Sequence, residues 1–215
     1  MNHWDLLRKE ARRRHAEVCA QGDDKCDRGA PAEILLAKAE KMTGIRRRAL
    51  PKDHPLLDGA VAKLERSTIW YDSSVEHWLS LYYQAHEFAH HWLRHGARAC
   101  TRSDIDSEAS EDKVPLGVHR VQGYGPHERN ETDANLFARE FLLAGDVLKG
   151  WFTEAGLNAG QIAARVGVSV EMVCHQLARS LLTPDVPPDG VKAESPQDDF
   201  DLDESQRAAA HLGQP

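Results

Sequence analysis

Leu79-Ser80-Leu81-Tyr82-Tyr83-Gln84-Ala85-His86-Glu87-Phe88-Ala89-His90-His91-Trp92-Leu93 is the stretch that decides how this 215-residue chain reads. It lacks Gly and Pro and is apolar enough for a buried helix. Within it, His86-Glu87-Phe88-Ala89-His90 spells H-E-x-x-H. Residues four apart lie about one turn apart on an α-helix, so His86 and His90 face the same way and can hold one metal ion together. Glu87 can reach a water on that metal, the arrangement of a zinc peptidase helix. Five residues make a short pattern, and the rest of the chain must supply what such a site needs.

A catalytic zinc takes three protein ligands and keeps a fourth position for water. The metzincin spacing requires a glycine and a histidine where this chain has Leu93 and Gly96, so that class is excluded despite the nearby His95. The other solution is a carboxylate on a following helix. Glu131-Thr132-Asp133-Ala134-Asn135-Leu136-Phe137-Ala138 fits, because Glu131, Ala134, Asn135 and Ala138 share one helical face. Small side chains at 134 and 138 allow a close approach to the histidine helix. Glu131 is the expected third ligand, with Asp133 and Glu128 as competitors off that face. Asn135 is placed to orient a histidine from behind. Two histidines and a carboxylate suit Zn2+ and also admit Mn2+ or Fe2+.

Around this centre the chain reads as a helix-rich α+β protein. Residues 3–20 and 31–43 read as helices, the second ending at Gly44. Ser67 to Asp72 is β-branched and aromatic and reads as a strand, available for edge pairing with an extended peptide. Asp72-Ser73-Ser74 offers a cap for the histidine helix. Residues 101–113 read as a polar loop, and Gly123-Tyr124-Gly125-Pro126 turns into a helix over about 127–143. Residues 157–182 have a helix-turn-helix pattern with Gly167 at the turn and Ser169 as the next cap. Its second helix offers one base, Arg179, late in the helix, so packing on the preceding unit is favoured over reading DNA. The expected division is an N-terminal helical extension (1–50), a metal-binding core (51–150), the helical unit (151–184) and an acidic tail (185–215).

Charge follows the same division. Of the net −7, residues 185–215 carry −6, with eight acids against Lys192 and Arg207, which leaves the rest near neutral without the basic footprint of a nucleic-acid binder. Arg12-Arg13-Arg14 and Arg46-Arg47-Arg48 read as solvated helix faces. No run of about 18 apolar residues or secretory leader is present, so a cytoplasmic location is expected. Cys19, Cys26, Cys100 and Cys174 form no C-x-x-C and read as free thiols.

The strand at 67–72, Ala85 through His90, and Glu131 through Leu143, in that order, resemble the ImmA/IrrE family of metallopeptidases, over about residues 50–180. Ala144-Gly145 stands where that family often has a proline, a departure at a helix end. The resemblance implies a gluzincin-like core, a small sheet packed with the H-E-x-x-H helix and the glutamate helix. It implies a zinc-dependent endopeptidase that cuts a specific protein, with a DNA-binding regulator as the type of substrate. Glu87 would be the base; Tyr124, His119 or His127 could steady the oxyanion, and Tyr124 is the expected one. Leu202 to Ala210 also resembles the adenine-recognising Gln motif of UvrD-type helicases, with Gln206 as its key residue. The alternative function is therefore a non-catalytic or regulatory peptidase-fold module of a larger helicase, DNA-damage or phage-response protein.

Overall fold

A computed structural model describes residues 3–21, 29–96, 99–105 and 125–182. The chain divides into two units, Met1–Pro184 and Asp185–Pro215, and the second lies wholly outside the described residues. So do Gln206 and Cys26, and with them the helicase-like segment.

The first unit is α+β and rich in helix. Its elements run α1 (His3–Cys19), α2 (Ala32–Thr43), β1 (Arg46–Leu50), β2 (Ala62–Glu65), β3 (Thr68–Asp72), α3 (His77–Trp92), β4 (Ala99–Cys100), α4 (Arg102–Ile105), α5 (Pro126–Leu142), α6 (Gly145–Thr153), α7 (Ala159–Val166) and α8 (Val170–Leu182). The sheet is mixed, in the order β1-β3-β2-β4. β1 runs parallel to β3, while β2 is antiparallel to both β3 and β4.

The β2–β3 turn is Arg66-Ser67, with φ of 49° and 67°. Positive φ at both central residues matches the right-handed twist of a tight hairpin. β3 lies between β1 and β2, so the expectation that it pairs with a peptide as an edge strand is wrong: its backbone groups are already used by both neighbours. The edges among the described residues are β1 and β4. Arg46-Arg47-Arg48 lies on β1 and not on a helix. Arg47 bonds to Glu33, Glu40 and Gln84, tying this strand to α2 and α3.

α3 runs through the centre of the unit, buried from Leu79 to His90. It lies against β2 and β3 on one side and α5 on the other. Ala134 and Ala138 are fully buried on α5, as a close helix approach requires. At the far end of α3, Trp92 stacks on Phe88 (5.4 Å between centroids) and contacts Phe141 (4.9 Å). Such aromatic pairs contribute ~0.5–1.5 kcal/mol beyond their buried area. No side chain caps α3: it begins after Glu76, and Asp72 spends its carboxylate on the Ser74 N–H one turn too early.

α1 packs along α5 with Leu7, Ala11, His15 and Val18 buried, and His15 Nδ1 donates to the Phe141 carbonyl at 2.7 Å. α8 rests on α6 and α7 and is pinned by Gln176, whose amide donates to Glu140 and to the Leu143 carbonyl. Gly167 ends α7 in the left-handed conformation and the Ser169 hydroxyl caps α8 through Met172 N–H.

Candidate metal centre

The i,i+4 spacing on α3 brings His86 Nε2 and His90 Nε2 to 2.9 Å. α5 delivers Glu131 from its second turn, with Oε2 at 3.1 Å from His86 Nε2 and 3.4 Å from His90 Nε2. β4 delivers Cys100, whose Sγ is 3.5 Å from His90 Nε2. One donor atom from each of these four residues lies within 4.8 Å of the others, and all four are buried. Four donors bonded to one ion at ~2.0–2.3 Å stand roughly 3.3–3.6 Å apart. The His90–Glu131 and His90–Cys100 separations fall in that range, the two His86 pairs are shorter, and the donor chemistry suits a metal ion, so the group can hold one.

Burial alone would raise the Glu131 carboxyl, but hydrogen bonds from His86 and His90 and their positive charge outweigh it and hold it well below the usual carboxylate range. Glu87 shows the opposite balance. Burial pushes its carboxyl up, against the opposing charge of His86 and His90 and a hydrogen bond with Cys100. Its Oε1 has no hydrogen-bond partner among the described residues. A cleft of about 690 Å³ opens beside it, lined by Glu87, His90, His95, Arg14, Leu64 and Trp92.

The structure brings His86, His90 and Glu131 together, with Glu87 beside them on α3. The competing carboxylates lie elsewhere: Asp133 accepts from His3 Nε2 at 3.0 Å, and Glu128 is exposed. Asn135 orients neither His86, whose Nδ1 has no hydrogen-bond partner among the described residues, nor His90, whose Nδ1 meets His95. Its side chain is occupied by Tyr82 Oη (3.2 Å) and by the Asp104 carbonyl (3.1 Å), which fastens α5 to α3 and α4. Tyr124 and His119 lie outside the described residues. His127 sits one turn before Glu131, its Nδ1 3.4 Å from Oε1 but without hydrogen-bonding alignment.

Two residues at the centre were missed. His95 Nδ1 meets His90 Nδ1 at 3.0 Å, so with His90 Nε2 turned to a metal, Nδ1–H of His90 donates to His95 and fixes the ring. Burial lowers the His95 pKa, followed by the charge of His90. That favours the neutral, accepting form. Its closeness to the motif was the available signal. Cys100 is free of any disulfide, like Cys19 and Cys174, but its place in the metal group separates it from an ordinary free thiol. Nothing in its local sequence announces that.

No protein-family model matches the chain, and no curated protein does. Among solved structures it is similar to a Mycobacterium tuberculosis transcriptional regulator, at 22% identity and a TM-score of 0.50, over 83% of this chain and 48% of that one. The chain thus spans about half the length of that protein, and the likeness speaks for the fold alone.

Proposed function

We propose that this chain is a zinc-dependent endopeptidase with a gluzincin-like core of the ImmA/IrrE kind, acting on a specific protein. The observation that carries the reading is the buried meeting of His86, His90 and Glu131, with Glu87 on the same helix facing an open cleft. A surface cluster of histidines and acids would not be buried and aligned in this way. Zinc suits two imidazoles and a carboxylate, although manganese or iron would also be accepted.

A zinc ion held there supplies Lewis acidity, lowering the pKa of water from about 15.7 toward 7 and polarising a carbonyl. Glu87 acts as base, taking the proton of the attacking water and handing it to the leaving amine. Its raised carboxyl holds that proton better than an exposed glutamate would. His95 keeps His90 in one tautomer, and Glu131 neutralises part of the ion's charge. The cleft lets a chain segment reach Glu87, and β4 offers an edge for an extended peptide to pair with.

The test is Glu87→Gln. The variant should keep one equivalent of metal and lose cleavage by ~10²–10⁴-fold. Proteome comparison of cells carrying wild type or variant would identify the protein that is cut. Cleavage by Glu87→Gln at the wild-type rate would sink the mechanism. A second reading, a regulatory module in which the centre is held closed, is favoured by Cys100 beside the donors.

A further inference from the structure

We propose that Cys100 is the fourth donor of this centre, so that the resting protein encloses its ion with His86, His90, Glu131 and a thiolate sulfur. This rests on the metal centre of the reading above and adds a regulation to it. Structural zinc sites have four protein ligands, whereas catalytic ones keep a position open. A sulfur in that position makes the centre latent until it moves away.

Two observations carry this. The first is placement. β4 pairs with β2 in the register Ala62↔Cys100, and Val61 N–H donates to the Cys100 carbonyl at 3.1 Å. Strand alternation turns Ala99 outward and Cys100 inward, leaving Cys100 only 1% exposed. The 3.5 Å from Sγ to His90 Nε2 matches the separation of two donors on one ion.

The second is charge. All four donors are buried. With Glu131 alone, a divalent ion leaves a net positive charge inside the protein, a costly burial. A thiolate beside the carboxylate brings the ion and its ligands to neutrality.

On binding the ion the Cys100 thiol would give up its proton to solvent, as a thiol does when it becomes a metal ligand.

X-ray absorption of the full chain loaded with one equivalent of zinc tests the proposal. Wild type should show one sulfur at ~2.3 Å with nitrogen and oxygen at ~2.0–2.2 Å. In Cys100→Ala and Cys100→Ser the sulfur is lost while zinc stays bound. Cys19→Ala and Cys174→Ala keep it. With cobalt in place of zinc, a thiolate-to-metal absorption band should be present in wild type and absent from both Cys100 variants. Wild-type zinc with only nitrogen and oxygen neighbours, or a sulfur that survives Cys100→Ala, overturns Cys100 as donor and leaves the three-residue centre standing. A wild type that takes up no zinc overturns both.

Discussion

Replacing Glu131 by glutamine should uncouple zinc from folding. Only the native state gathers these donors, from α3, α5 and β4, so zinc binds the folded chain and raises its stability by mass action. At free zinc about 1,000 times the Kd this amounts to ~4.1 kcal/mol. For a chain of this size ~1 kcal/mol moves Tm by about 2–4 °C, so zinc should raise the wild-type Tm by roughly 8–16 °C. Glutamine keeps the shape of Glu131 but presents a neutral oxygen where a carboxylate faced both histidines at 3.1 and 3.4 Å.

Changes one shell further out already cost ~10–100-fold in metal affinity, so the loss of this ligand should reach at least ~100-fold. At the same free zinc the stabilisation falls to about 1.4 kcal/mol, or roughly 3–6 °C. The assay is a thermal melt of each protein with and without zinc, comparing each zinc-induced shift with that protein's own metal-free form. That subtraction removes the effect of the substitution on the empty fold, where lost charge-assisted hydrogen bonds and relieved desolvation oppose each other. Asp133→Asn is the control: Asp133 is committed to His3, so the full zinc shift should remain. An undiminished shift in Glu131→Gln would refute Glu131 as a ligand, and a collapsed shift in Asp133→Asn would move the ligand there.

Three further outcomes follow from the same geometry. Glu140 is buried and accepts from Arg12, Gly145 N–H and Gln176, so Glu140→Ala leaves those donors stranded and should cost about 3–5 kcal/mol, read as a Tm fall of roughly 6–20 °C; a fall under ~2 °C would deny that Glu140 joins α1, α5 and α8. Without metal, acid should weaken the fold through Glu131, whose folded carboxyl sits below its ordinary 4.5: its contribution is complete above that value and disappears as pH falls through the depressed one. Glu87 works in reverse, since its raised carboxyl imposes a cost that grows as pH rises above 4.5; metal-free Glu87→Gln should therefore withstand more urea than wild type at neutral pH, with the gap closing in acid, and equal midpoints at both would show that Glu87 carries no burial cost.

The parts of this molecule that sequence made legible are those governed by short-range geometry. Helical spacing alone aligned His86 with His90 and set Glu131 on a face of small residues, and a glycine with an N-capping serine marked the α7–α8 turn. The α+β class followed from one apolar strand beside strong helices. What stayed hidden depends on pairing between distant segments. β1 reads as three arginines because its stability comes from β3 and from carboxylates on α2, not from an apolar face of its own. The Arg66-Ser67 turn carries no glycine or asparagine to announce its positive φ, so the sequence does not reveal the hairpin that places β3 inside the sheet.

Cys100 is the sharpest case. Its place at the centre is set by the register of a two-residue strand, and a slip of one residue would turn Ala99 toward the histidines and Cys100 toward solvent. The donor set therefore has two origins: a helical repeat that any reader of the sequence can find, and a sheet register that exists only once β2 and β3 have formed. A metal bound by both kinds of donor reports on the completed fold. The zinc-induced shift should accordingly shrink when β2, which supplies no ligand itself, is disrupted, as by Leu64→Pro. That substitution places a proline in a strand paired on both sides and removes a backbone donor. If Leu64→Pro still folds and binds zinc with wild-type tightness, the sheet takes no part in assembling the centre.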